Sequence, residues 1–249
     1  MRLSVSSSAA LQEAGTVRSA ASEGRRRPSR VHGLQTEVAP SRRATRGDRA
    51  LVRVVHAVPG APAVDVRTDD RRTFTDVAFK TVTPYRAVAD DRHRITVLPA
   101  GMPAAEPFAQ DAQVMTDGER YTVLAVASDD GQGLDLETVR DDQRLVDLGR
   151  ARVRVINAAP QQGKLDVLVE ATGEALFTGL GFKAWGSFRE IDPGQPTILV
   201  TTPSRRVLLR LPHLRLRGGR SLTLVLIHPS ANSMELEAIQ VIDDAGSVP

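Results

Sequence analysis

The chain has 249 residues, 41% hydrophobic and 25% charged, which is enough apolar content for one large packed domain or two small ones. It contains no cysteine, so disulfides, thiolate nucleophiles and cysteine-ligated metals are excluded. The formal net charge of +3 is unevenly spread: residues 1–50 carry ten arginines against Glu13, Glu23, Glu37 and Asp48, a net of +6, so residues 51–249 sum to −3.

Residues 1–49 are rich in Arg, Ser, Ala and Gly and hold no period of 2 or 3.6, which predicts a disordered basic arm. A basic arm can attract nucleic acid or anionic lipid through unspecific Coulomb terms. Its longest apolar patch, around Ala9–Leu11, is far short of the roughly 7 to 15 residues of a secretory signal core, and no apolar stretch follows the basic run Gly24–Arg30. Neither a secretory nor a twin-arginine signal is therefore expected. No run approaches the roughly 20 apolar residues of a transmembrane helix.

From Ala50 the texture changes. Val52 and Val54 alternate with Arg53, a strand pattern that Pro59, Gly60 and Pro62 break before a second short strand at Ala63–Arg67. Tyr85–Ala89, Arg94–Leu98, Arg120–Ala127 and Leu134–Arg140 continue the rhythm. Tyr121–Ala127 is almost wholly apolar and reads as a central strand buried on both faces. Short strands at this density predict a β-sandwich, with inner Val and Leu filling the core and outer Arg, Asp and Thr meeting water.

The chain then repeats itself. "ALVRVVHAVPGAPAVDV" (Ala50–Val66) returns as "ARVRVINAAPQQGKLDV" (Ala151–Val167), with eight identities in 17 positions. "FTDVAFK" (Phe74–Lys80) returns as "FTGLGFK" (Phe177–Lys183), and "GERYTVLAV" (Gly118–Val126) as "GRSLTLVLI" (Gly219–Ile227). The register holds through "LDLETVRDD" (Leu134–Asp142) and "MELEAIQVIDD" (Met234–Asp244), a tandem duplication with insertions in turns. The expected organisation is an arm at 1–49, a first β-sandwich repeat at 50–142, a linker of about ten residues, and a second repeat at 151–249. Each repeat has its own apolar strand set and is expected to fold alone.

The segments "VRVVHAVPGAPAVDV", "FTDVAFKTVTPY", "ITVLPAG" and "GERYTVLAVA" resemble the bacterial family known as domain of unknown function 4397, and the second copy resembles its more divergent members. The resemblance implies immunoglobulin-like β-sandwich modules, often in tandem, mostly in secreted or cell-envelope proteins, with no known catalysis. The chain departs from the pattern where Asn157 replaces the motif histidine His56, and in lacking a visible signal peptide.

Candidate chemistry is sparse. None of the five histidines has the spacing of a helical zinc motif, and neither G-x-S-x-G nor a phosphate loop occurs. His56, at a strand end beside Pro59, suits pinning a turn, and Asn157 could make a similar hydrogen bond. Asp65 and Asp166 recur at equivalent places between valine or leucine neighbours; they suit fixing the proline-containing turn, or else a duplicated cation or ligand site. The acidic pairs at strand ends, among them Asp141-Asp142 and Asp243-Asp244, read as solvated turns. Trp185, the lone tryptophan, is expected to be buried as an anchor; exposed, it would suit stacking on a sugar or peptide. No catalytic, metal or cofactor residue is expected. The leading functional expectation is a non-enzymatic envelope or exterior protein in binding, adhesion or spacing, with an unidentified protein or glycan partner and no specific nucleic acid. The alternative is an intracellular regulatory or scaffold protein whose basic arm contacts an acidic partner.

Overall fold

The computed structural model describes residues 49–129, 131 and 133–243, and the disordered arm expected at the N-terminus falls, but for Arg49, outside them. The described chain is all-β, as the alternation demands, and forms two immunoglobulin-like sandwiches. The first contains β1 (Arg49–His56), β2 (Val64–Thr68), β3 (Arg71–Val77), β4 (Arg86–Ala89), β5 (Asp91–Pro99), β6 (Ala109–Met115), β7 (Arg120–Ala127) and β8 (Leu134–Asp141). The second contains β9 (Ala151–Asn157), β10 (Leu165–Val169), β11 (Ala175–Leu180), β12 (Arg189–Ile191), β13 (Ile198–Thr201), β14 (Val207–Leu211), β15 (Ser221–Ile227) and β16 (Glu237–Asp243).

The two topologies are identical strand for strand. One sheet of the first sandwich runs β4-β1-β7-β8 and the other β3-β2-β5-β6; their counterparts run β12-β9-β15-β16 and β11-β10-β13-β14. In each, the first and seventh strands pair in parallel, Val54 opposite Val123 and Val155 opposite Leu224. Parallel neighbours cannot be joined by a hairpin, so the five intervening strands form the crossover between them.

Strand alternation here serves two interiors. The inward face of β1 and β7 (Val52, Val54, Tyr121, Val123, Ala125) packs into the first sandwich's core. Val153, Val155, Leu222, Leu224 and Leu226 do the same in the second. The opposite face does not meet water. Val55, Leu124, Val126 and Val139 of the first repeat and Ile156, Val225, Ile227, Ile239 and Val241 of the second form one shared apolar cluster. The sheets containing β1 and β9 therefore pack against each other, and the doubly buried β7 is covered on one face by its own sandwich and on the other by the second repeat.

This corrects the expectation that outer Arg, Asp and Thr are solvated. Arg53 and Arg154 are each 3% exposed, and Thr122, Thr223 and Asp141 are buried with them. Asp141 is consequently no part of a solvated turn, and the side chain of Asp243 is only 10% exposed. The period-2 pattern locates the outer face but not what covers it.

Candidate functional site

Asp65 and Asp166, the acids of the repeated motif, brace an irregularity in the neighbouring strand. Pairing of β2 with β3 and of β10 with β11 slips register beside Val66 and Val167, the signature of a bulge. At the bulge Asp76 and Gly179 take positive φ, 52° and 67°, which turns a backbone N–H out of the ladder. Asp65 Oδ1 accepts that N–H from Asp76 at 2.9 Å, and Asp166 Oδ1 accepts the equivalent one from Gly179 at 2.8 Å. Asp65 Oδ2 also accepts from the Gly101 N–H at 3.2 Å and lies 3.5 Å from Arg72 Nε. Burial would raise the Asp65 carboxyl, but the two backbone donors and Arg72 outweigh it and hold the group below its ordinary value. Neither carboxylate touches the proline turn assigned to it from sequence.

That turn belongs to His56, which is fully buried. Its Nδ1 accepts from the Val58 N–H at 3.3 Å, leaving Nε2 to donate to the Pro62 carbonyl at 3.1 Å. Burial lowers its pKa, the carbonyl contact only partly opposing. Asn157 repeats half of this device: Oδ1 accepts from the Ala159 N–H at 3.1 Å, but Nδ2 donates to the Leu180 carbonyl instead. The carbonyl of Pro160, the counterpart of Pro59, is met at 2.8 Å by Nε2 of His228. Trp185 is not the buried anchor expected; it is 40% exposed, its backbone bridged to Ile156 as Val82 is to Val55.

An assembly of buried charged groups lies between the repeats and was not singled out from sequence. Arg53 pairs with Asp243 of the second repeat, and Arg154 pairs with Asp141 of the first at 2.7 Å. Arg53 Nε donates to Thr122 Oγ1 at 2.8 Å, which donates to Asp141 Oδ2 at 2.6 Å. The mirror set runs from Arg154 Nε to Thr223 Oγ1 at 3.1 Å and on to Asp243 Oδ2 at 3.1 Å. Each guanidinium lies over an aromatic ring at 4.6 Å, Arg53 on Tyr85 and Arg154 on Phe188. At the other end of the shared cluster Lys80 reaches Glu237 at 2.6 Å and Lys183 reaches Asp135 at 2.6 Å. Each of these four pairs crosses from one repeat to the other and has a counterpart related by the duplication, the isologous pattern of a two-fold dimer built within one chain.

The symmetry breaks at a hydroxyl beside the arginines. Tyr85 donates to Asp141 Oδ2 at 2.7 Å, whereas Phe188 has nothing to donate. Burial holds the Asp243 carboxyl above its ordinary value despite Arg53, and burial with the Asp141 charge pushes the Tyr85 hydroxyl upward. A sequence signal for this lattice was present: the Arg of "VRV" is identical in both copies, and the residue two further along the same strand face is apolar in each, Val55 and Ile156.

Among the described residues, no group of three or more His, Asp or Glu is placed to hold a metal ion, and no helix is long and apolar enough to cross a membrane. The molecule is thus of the tandem β-sandwich class, two duplicated modules joined face to face through a buried charge lattice. The chain belongs to the family described as domain of unknown function 4397, whose model matches residues 50–168 and again 153–249. It is similar to the C-terminal domain of AlgF from P. aeruginosa, with 21% identity and a TM-score of 0.31 over 38% of this chain and 99% of that one. It is also similar to the fimbrial anchor protein Mfa2 from Porphyromonas gingivalis, with 14% identity and a TM-score of 0.22 over 78% and 97%. The TIE protein of Bacillus anthracis is similar at 9% identity and a TM-score of 0.24 over 72% of this chain and 34% of that one. No curated protein matches the chain.

Proposed function

We propose that the protein is a non-catalytic repeat protein of the bacterial cell envelope or exterior, serving binding, adhesion or spacing toward a protein or glycan partner. The observation that carries this reading is where the duplicated polar residues go. Asp65, Asp166, His56 and Asn157 each satisfy backbone groups of their own module, and Arg53, Arg154, Lys80 and Lys183 clamp the modules together. A clamp of this kind holds two modules in fixed relation, which suits a spacer or a presenting scaffold better than an enzyme cleft that must open and close. The placement in the envelope draws on the family resemblance.

The test is fractionation of bacteria making the full chain from its own locus. The reading requires protein in the envelope or medium, open to protease added to intact cells. Retention of all of it in the cytoplasm would overturn that placement and favour the regulatory alternative with the basic arm on an acidic partner.

A further inference from the structure

Three surface hollows differ in how their charges are balanced. One of about 360 Å³ holds Arg150 together with Glu174, Glu190 and Asp192, and one of about 490 Å³ holds Arg140 and Arg144 together with Glu119 and Asp142. The third, about 330 Å³ at one end of the second repeat, is lined by Arg152, Arg215, Arg217 and Arg220 with Ser221 and Gln240, and no acidic residue lines it. Its apolar floor is Leu216 and Leu222, both buried.

The hollow is built. The turn at its mouth is held by the linker, the Gly219 N–H donating to the carbonyls of Asp147 at 3.0 Å and Arg150 at 2.9 Å. Arg152 is 5% exposed. Its Nη1 pairs with Asp142 at 3.1 Å and its Nη2 donates to the Arg144 carbonyl at 2.6 Å, but its buried Nε has no partner among the described residues. An orphaned buried donor marks a place for an ordered acceptor. Arg215 and Arg217 stand exposed at the rim with no carboxylate among the described residues paired to either. The first repeat has none of this: the duplication sets Leu51, Val114, Thr116 and Glu119 where the second has Arg152, Arg215, Arg217 and Arg220. These arginines belong to the second copy and not the first; Arg152 is met by Asp142, but the like charges of Arg215 and Arg217 stand together with no acid lining the hollow, which an anion would relieve.

We infer that this hollow binds the oxyanion group of a small ligand, a phosphate, sulfate or carboxylate presented by arginine forks, with an apolar or ring portion resting on Leu216 and Leu222. The inference does not depend on the envelope placement. It is tested by calorimetric titration of the full chain with inorganic phosphate, sulfate and glucuronate in separate arms, which distinguish the three anion sources. The comparison variant is Arg215→Val with Arg217→Thr, which installs the first repeat's own residues at exposed positions; Arg205→Ala with Arg206→Ala, outside the hollow, is the control. At least one anion should bind saturably at one site per chain, weakened about tenfold or more in the first variant and unchanged in the second. Binding lowered equally in both variants, or no saturable binding of any of the three, overturns it.

Discussion

Arg53 and Asp243 stand 190 residues apart in the chain and meet in a buried ion pair that crosses from the first repeat to the second. Desolvation lowers the Arg53 pKa, yet Asp243 and Asp141 together hold it above its ordinary value. The pair is one half of a reciprocal lattice, since Arg154 and Asp141 repeat it in the opposite direction. Removing one member leaves the other charged and buried, which is more costly than removing both. Arg53→Met should therefore lower the unfolding free energy by about 3–5 kcal/mol, and adding Asp243→Leu should restore most of it. Urea denaturation of the singles and the double measures this; a double no better than the sum of its singles would show the pair to be uncoupled.

The isologous face bears on the separated repeats. Residues 49–145 alone would present Val55, Leu124, Val126 and Val139 to water and leave Arg53 and Asp141 unmatched to the second repeat. Two such copies can pair Arg53 of each with Asp141 of the other, copying the bond between Arg154 and Asp141. The isolated first repeat should therefore dimerise, with a melting temperature that rises with concentration. Sedimentation showing a stable, well-folded monomer at all concentrations would count against a shared core that matters energetically, and for the autonomy expected from the strand pattern.

His56 supplies a pH dependence whose sign follows from its lowered pKa. Between that value and the unfolded value of about 6.5, the unfolded chain binds more protons than the native one, so stability rises with pH there and falls as acid is added. His56→Asn copies Asn157, keeps an acceptor for the Val58 N–H and cannot be protonated. The variant should lose that part of the slope below about pH 6.5. Chemical denaturation of wild type and variant from pH 7 to 5 checks it; parallel curves would remove His56 from the account.

Asp65 and Asp166 should differ in proportion to the donors they satisfy. Asp65→Ala strands the Asp76 and Gly101 N–H groups, and Asp166→Ala strands that of Gly179. Each change should cost about 1–3 kcal/mol, with Asp65 at the upper end. Thermal unfolding measures the loss; an unchanged melting temperature accompanied by loss of cation binding would restore the duplicated-site reading.

Asp142 gives an acid limb. The Arg144 hydrogen bond, against the opposing effect of burial and with help from Arg152, brings its carboxyl to about 2. A depressed carboxyl contributes stability that is present above its unfolded value of about 3.9 and is lost as pH falls toward about 2. Asp142→Asn should flatten the stability profile in that window, as read by circular dichroism during acid titration.

The local pattern determined a good deal of this molecule. Alternation of Val with polar residues specified strands because a pleat sends successive side chains to opposite faces, and the duplication specified two sandwiches because the same inward set recurs in register. Asp65 and Asp166 were visible as a recurring pair, although their bulge partners were not, since Asp76 and Gly179 lie 11 and 13 residues downstream in a neighbouring strand. What covers the other face of β1 and β9 was decided only by tertiary structure. Arg53 between two valines has the same local pattern whether it meets water or Asp243, because burial depends on which distant surface docks there and a period of 2 carries no information about distance. For the same reason Asp141, which reads as part of a polar turn, became a buried acceptor for Tyr85, Thr122 and Arg154.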